Sequence, residues 1–457
     1  MVKGEGEEKL PLLLKALANQ NFDEAKAVLE MPDACKKRSY TSPYTDEYLK
    51  RINGRIAYIE SSRGCPYRCS YCLSSETTGL VYYPVEAIFD DIKKLVDAKA
   101  RVIKFVDRSF NVNEEYSLKI WDFIREFKDE SVTFHFEINP DILTKRQMES
   151  LISMPVGLVQ LEAGIQSVNP KTLKEVSRVM NVQKAVENLK TLMEKGNIHI
   201  HVDLIAGLPY EDMDSFRESF NTIYQIGAHH LQLGFLKLLH GTRIRREASL
   251  HGYKYRDYPP YEVIENKYIS AAEMLEIKDI EEALDRTLNS GRFDYTLKYL
   301  ENYFTEPFEF YKGFAGFLKS RERLYQPIAA VALFELLRDY AYKFVEINRL
   351  ELDSFIALDY ACSMKNTVLP EFLNDSAVKA LDAKTLLEKS PEFVWKNAYR
   401  KRFMVLEGRF PVKIEGKNVS VENRMIVDTA DIDPVTKRAN ARPFSDLANI
   451  ETRLKIE

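Results

Sequence analysis

From residue 55 to residue 236 the chain repeats one rhythm: a short run rich in β-branched and aromatic residues, then a longer stretch of helical periodicity. The strand candidates are 55–60, 101–107, 132–138, 157–163, 198–205 and 230–236, and helical stretches fall at 85–98, 114–127, 145–153, 185–194 and 214–226. Strands that alternate with helices of this length specify parallel pairing, because each helix carries the chain back to the same end of the sheet. Six such units predict an α/β fold, a partial (β/α)6 TIM-like barrel. In barrels of parallel strands the chemistry collects at the C-terminal strand ends, where loops vary over a packed core.

After Gly241-Thr242 the rhythm stops, and a Tyr- and Pro-rich connector runs to Tyr261. The expected organisation is a lead-in over 1–50, a core over 51–255 and a mainly α-helical domain over 256–457. Within the last part, 262–275, 280–288 and 329–345 read as helices, and 405–428 as short strands with a turn at Glu415-Gly416-Lys417-Asn418. In the lead-in, 7–17 and 23–29 can form helices. At 457 residues and 45% hydrophobic composition the chain can bury a large core. Its 65 basic and 69 acidic side chains leave a net charge of −4, without the basic footprint of a dedicated nucleic-acid binder. The sequence shows no apolar run of membrane-spanning length and the polar start MVKGEGEEKL is no signal peptide, so the expected location is the cytoplasm.

Five cysteines are few for this length; three lie within eight residues, while Cys35 and Cys362 stand apart. That is not a disulfide framework. The segment Ser62-Arg63-Gly64-Cys65-Pro66-Tyr67-Arg68-Cys69-Ser70-Tyr71-Cys72 follows the first strand directly and has C-x3-C-x2-C spacing. A structural zinc site would close on four ligands, usually with a second pair, and no second pair exists here. Three local thiolates instead suit a [4Fe–4S] cube, which ordinarily takes four. One iron would then stay open.

This motif, with the aromatic Tyr71 just before the third cysteine, resembles the radical S-adenosylmethionine (SAM) superfamily. The resemblance implies that Cys65, Cys69 and Cys72 hold the cluster and that its open iron chelates the amino and carboxyl groups of SAM. Reductive cleavage then yields methionine and a 5′-deoxyadenosyl radical. By the same resemblance, and by similarity to the coproporphyrinogen-dehydrogenase type, Glu137 stands near the SAM amino group. Gln166, Arg178 and Asp203 surround its ribose and carboxylate, and Gly207 in IHVDLIAGLP lets backbone approach the adenine. Arg178 is placed on the helical stretch after the fourth strand. Each has a bland reading too: a solvated strand end, a surface charge, a tight turn. Where the family carries a Gly-Gly-Glu-like run after the second strand, this chain has Phe105-Val106-Asp107-Arg108-Ser109-Phe110-Asn111. Asp107 beside Arg108 could hold a substrate zwitterion or carboxylate, or form a structural ion pair.

His199, His201 and Asp203 alternate on the fifth strand and share one face. One strand does not supply a converging metal triad, so a polar lumen lining is expected over a second metal site. The runs YIESSRGCPYRCSYCLSS, IKFVDRSFN, FHFEI, GIQS, IHVDLIAGLPYED and LQLGFLKLLHGT resemble cobalamin-binding-type radical SAM proteins with a C-terminal domain of unknown function. In that subgroup a cobalamin-binding domain precedes the barrel, and residues 2–8 look like its last strand and loop, so cobalamin is not assigned firmly to this chain. The expected function is reductive SAM cleavage acting on an unidentified small molecule or peptide, with a reducing partner such as flavodoxin or ferredoxin. Methyl transfer follows if cobalamin is delivered. The alternative is a non-catalytic iron–sulfur protein for electron transfer.

Overall fold

A computed structural model describes residues 6–31, 40–76, 79–128, 130–344, 346–365, 367–382, 386, 403–414 and 417–443. Its centre is a six-stranded sheet in sequential order, every neighbouring pair parallel. The strands are Ile56–Ile59 (β1), Val102–Phe105 (β2), Thr133–Ile138 (β3), Val159–Gln166 (β4), His199–Ala206 (β5) and His230–Phe235 (β6). Helices Val85–Asp97 (α1), Glu114–Ile124 (α2), Lys145–Ile152 (α3), Val182–Lys195 (α4) and Met213–Tyr224 (α5) connect them. This is the partial barrel expected from the rhythm.

Along β4 and β5 every second residue is buried: Val159, Leu161, Ala163 and Ile165, then Ile200, Val202, Leu204 and Ala206. These side chains pack outward under the helices. The intervening Gln160, Glu162, Gln166, His199, His201 and Asp203 point inward and are only partly covered. The helices are bounded by local chemistry. Thr144 and Gln147 form a reciprocal capping box at the start of α3, and Gly196 ends α4 in the left-handed region at φ 68°.

Before the barrel, among the described residues, stand the helices Gly6–Ala18 and Phe22–Glu30 and the single turn Asp46–Leu49. The first of them covers the 7–17 stretch read as helical and starts already at Gly6, while residues 2–5 and Cys35 lie outside the described residues. After the barrel the connector folds back: Val263–Glu265 pairs with Lys254–Tyr255, and the Val263 amide donates to the Leu236 carbonyl at 2.9 Å. The expected helix from residue 262 therefore begins later. A second capping box, Ser270 with Glu273, starts one continuous helix, Ala271–Arg286 (α6), where the sequence pattern reads as two.

Helices Asp294–Leu300 (α7), Pro307–Lys319 (α8), Ala330–Ala341 (α9) and Arg349–Met364 (α10) follow. The chain then forms a four-stranded antiparallel sheet of Lys379–Leu381, Phe403–Ile414, Lys417–Ile432 and Ala439–Pro443. The strands at 405–428 are thus long rather than short, and Glu415-Gly416 of the expected turn lie outside the described residues. One hydrophobic core runs from Ile52 to Ala439 through barrel and C-terminal part alike.

The sheet is tied to the helices by a buried charge cluster. Arg438 reaches Asp359 at 2.5 Å and Asp294 at 2.7 Å, and the Asp359 carboxylate also accepts the amides of Tyr295 and Thr296 at 3.1 and 2.7 Å. Removing Asp359 leaves the buried Arg438 with the half-exposed Asp294 alone and strips two backbone amides of their acceptor. Asp359→Ala is expected to cost about 3–5 kcal/mol, read as a lower urea midpoint for loss of C-terminal structure.

Candidate functional site

The cysteine loop begins where β1 ends. Ser62–Gly64 pairs antiparallel with Leu80–Tyr82, so the cysteines leave from a small hairpin at the C-terminal face of the barrel. Gly64 sits at φ +99°, and a Cβ there would come within 2.1 Å of the Gly79 carbonyl oxygen. Asp107, at the end of β2, clamps the start of the loop. Its carboxylate accepts the Ser61 amide (3.0 Å) and the hydroxyls of Ser61 (2.7 Å) and Ser62 (2.5 Å). Further on, the Ser70 amide donates to the Val176 carbonyl and the Ile244 amide to the Ser70 carbonyl.

Cys69 is buried, Cys65 and Cys72 are half-exposed, and none is in a disulfide. Burial pushes the Cys65 thiol up, and the neighbouring Cys69 and Cys72 add to it, so the three sulfurs form one group. Among the described residues no three His, Cys, Asp or Glu side chains gather as around a single ion. In a cube each thiolate takes its own iron, so grouped thiols need not converge on one point. An all-sulfur donor set on one loop fits such a cluster.

Around the mouth the structure brings the other expected residues together. A bulge at Gly164/Gln166 turns the end of β4, with Gln166 at φ 74° folded over Gly164. Arg178 lies in the segment between helix Pro170–Glu175 and α4, not on a helix. Its guanidinium donates to the Asn139 side-chain oxygen (3.1 Å) and the Gly164 carbonyl, and approaches the Cys69 sulfur at 3.7 Å. Tyr71 packs beside them, its hydroxyl buried.

Glu137 and Glu162 are direct neighbours across β3 and β4. Burial, and next the Glu162 charge, raises the Glu137 carboxyl. Burial also lifts Asp203 to about 7, helped by Glu162 and Glu137, and its buried Oδ1 has no protein partner. Gly207 stands at φ +88° just after β5, its absent Cβ facing Met274 and Val263, and its carbonyl accepts from Tyr253 and Asn266. The tight-turn reading of Gly207 is therefore satisfied within the chain.

Asp107 and Arg108 do not pair with each other. Asp107 is 2% exposed and its carboxylate is taken up by the serines, so it anchors the cysteine loop. Arg108 turns away from it, 56% exposed, with its guanidinium 3.9 Å from Glu137.

Of the deeper residues, Lys104, His135, Gln160 and Glu162 were not singled out in the sequence, although inward alternation along the strands marks them. Lys104 and His135 each stand 3.1 Å from the Glu162 carboxylate, the histidine contact being close but poorly aligned as a hydrogen bond. His135 and Lys104 together hold Glu162 at about 2 against its burial. His201 meets Gln160 at 2.8 Å and stacks on His230, and His199 stacks on His229. The mouth brace of Ser109, Asn111 and Asn139 was equally unmarked: Asn111 and Asn139 exchange two hydrogen bonds, of 2.8 and 2.9 Å.

Residues 59–223 match the family model described as the radical SAM superfamily. The barrel carries a radical SAM domain. Residues 249–408 match a protein of unknown function, DUF4080. The radical SAM core is similar to the ribosomal protein uS12 methylthiotransferase RimO of a Nitratiruptor species, 24% identical over 54% of this chain and 59% of that protein. It is also similar to the hopanoid C-3 methylase of Methylococcus capsulatus, 25% identical over 49% of this chain and 45% of that protein. The chain spans about half the length of these curated relatives. Among solved structures, the radical SAM methyltransferase TsrM of Kitasatospora setae aligns at a TM-score of 0.41 and 17% identity, over 50% of this chain and 46% of that one. No helix among the described residues is long and apolar enough to cross a membrane.

The hairpin and the lumen each give a measurable consequence. Gly64→Ala should push the hairpin apart, and anaerobic reconstitution should then leave iron and sulfide per chain at less than half the wild-type content. The second consequence concerns acid. Burial, and then the neighbouring imidazoles, depress His199 to about 2 and His201 to about 3. Above pH 6.5 both are neutral whether the chain is folded or unfolded. Below it the unfolded chain takes up protons that the folded lumen refuses, so stability is lost from pH 6.5 down towards pH 3. At pH 5 this amounts to about 2 kcal/mol for each histidine. His201→Gln should flatten the fall in melting temperature between pH 7 and pH 5.

Proposed function

We propose that this protein cleaves SAM reductively and directs the 5′-deoxyadenosyl radical at a polar small molecule or peptide segment held in the barrel. The observation that carries this is the meeting, at one end of the barrel, of the three grouped thiols with Glu137, Gln166, Arg178 and Asp203. When bound, the cluster supplies the electron that breaks the sulfonium bond of SAM.

The chain's own residues then have separable tasks. Cys65, Cys69 and Cys72 would hold the cluster by three of its irons and leave the fourth for SAM. Glu137 offers an acceptor to the ammonium of SAM, and a cation there would offset the burial and, next, the Glu162 charge that raise its carboxyl. The unpartnered Asp203 oxygen suits a ribose hydroxyl, which would repair its lost hydration. Gln166, turned in by its bulge, can share that ribose.

Below the mouth the lumen presents Lys104, Glu162, His135, Gln160 and His201. An apolar substrate would desolvate these groups without replacing their hydrogen bonds, at a cost of about 1–3 kcal/mol each. A hydrogen-bonding substrate would not. The required electron would come from a flavodoxin or ferredoxin. Methyl transfer to an unactivated carbon becomes accessible if cobalamin is brought to the mouth by another polypeptide or by sequence beyond this chain.

The test is anaerobic cluster reconstitution and reduction with SAM, with chromatographic detection of 5′-deoxyadenosine. Wild type should release it and Cys69→Ala should not. Glu137→Gln should weaken SAM binding about tenfold, equivalent to ~1.4 kcal/mol, measured as Kd on the reconstituted protein. A complete cluster that never cleaves SAM would overturn the proposal in favour of an iron–sulfur protein serving electron transfer.

A further inference from the structure

Arg178 is fixed at the barrel mouth by contacts on one side of its guanidinium. One nitrogen of its guanidinium is pinned between the Asn139 side chain (3.1 Å) and the Gly164 carbonyl. Asn139 is itself locked by Asn111, whose side chain trades hydrogen bonds with the Asn139 backbone. A Cβ on residue 164 would meet that nitrogen only at an ordinary contact distance of 3.7 Å; the side chain that the glycine admits is Gln166, whose amide nitrogen would lie 2.1 Å from such a Cβ. The two acceptors orient the planar fork, and its other terminal nitrogen lies 3.7 Å from the Cys69 sulfur. Cys69 is the buried member of the three cysteines.

Ser109 also approaches a cysteine, with its hydroxyl 3.9 Å from the Cys65 sulfur. A hydroxyl has one proton, and this one goes to the Arg108 carbonyl at 2.6 Å. Arg178 is thus a charged donor on the group, and it acts on the thiolate that water reaches least.

We infer that Arg178 sets the reduction potential of the cluster through the Cys69 thiolate. This rests on the cluster reading under Proposed function. Reduction adds one negative charge to the cube. A fixed positive charge and an N–H donor at one of its sulfurs stabilise the reduced form more than the oxidised form, so they raise the potential. The enclosed setting strengthens the effect, because little water screens it. Arg178 is in this respect a positioning and tuning residue, distinct from any contact it makes to SAM.

The experiment is a redox titration of the reconstituted full-length protein, followed by electron paramagnetic resonance without SAM, so that SAM binding does not enter. Iron and sulfide contents are measured beside it. Wild type, Arg178→Lys and Arg178→Gln are compared. The expected order of midpoint potential is wild type highest, Arg178→Lys intermediate, since it keeps the charge but loses the fork, and Arg178→Gln most negative. Equal midpoints in the three proteins at full cluster content would overturn the inference and leave the cluster reading intact. Where Arg178→Gln takes up no iron, the Arg178→Lys midpoint decides: a negative shift supports the inference, an unchanged value overturns it. Failure of the wild type to assemble any cluster would overturn the cluster reading, and this inference with it.

Discussion

The parallel register of the six strands decides where each polar side chain of the barrel goes. Glu137 pairs with Glu162, Glu162 with His201 and His201 with His230, so one row of neighbouring positions runs round the lumen. A slip of one residue in any strand would turn these groups under the helices and bring Leu161 or Val202 into the lumen. The apolar outer face, closed by the helices, prevents that slip. Packing energy outside the barrel therefore maintains the chemistry inside it.

That chemistry is concentrated by burial. Two carboxylates lie side by side in Glu137 and Glu162, and they titrate apart because Glu162 has His135 and Lys104 while Glu137 stands 3.9 Å from its cations. Such separation of like groups by environment is how one site keeps a fixed charge and an adaptable one together. The cysteine loop depends on the same economy of space. Asp107 anchors its start, Val176 and Ile244 hold its middle, and Arg178, two residues beyond Val176, reaches the Cys69 sulfur. The loop is braced from β2, from the segment after β4 and from the segment after β6.

Much of this was legible in the chain. The C-x3-C-x2-C run placed the three thiols together, and the alternation of short apolar runs with helical stretches located all six barrel strands to within a few residues. Glu137, Gln166, Arg178 and Asp203 do meet at one end. Other features were missed for identifiable reasons. Asp107 next to Arg108 suggested a charge pair, but the two side chains take different partners, Asp107 the serines and Arg108 the side of Glu137. Ser270 and Glu273 carried a readable capping box that marks the start of α6. The length of the C-terminal strands was not legible, since charged residues such as Glu407 and Arg424, which pair at 2.7 Å across the hairpin, interrupt the apolar pattern.

The sequence by itself determined what is local: periodicity, caps, the glycine at a left-handed turn, and the spacing of three cysteines within one loop. These depend on sterics and hydrogen bonds among near neighbours in the chain. Only the tertiary structure decided which distant groups share a space. Lys104 and Glu162 are 58 residues apart, and Arg178 lies 109 residues from the sulfur it approaches. Their charges matter because the barrel closes them away from water, where an electrostatic contact is weakly screened. Burial is a property of the whole fold, and no short stretch of the chain contains it.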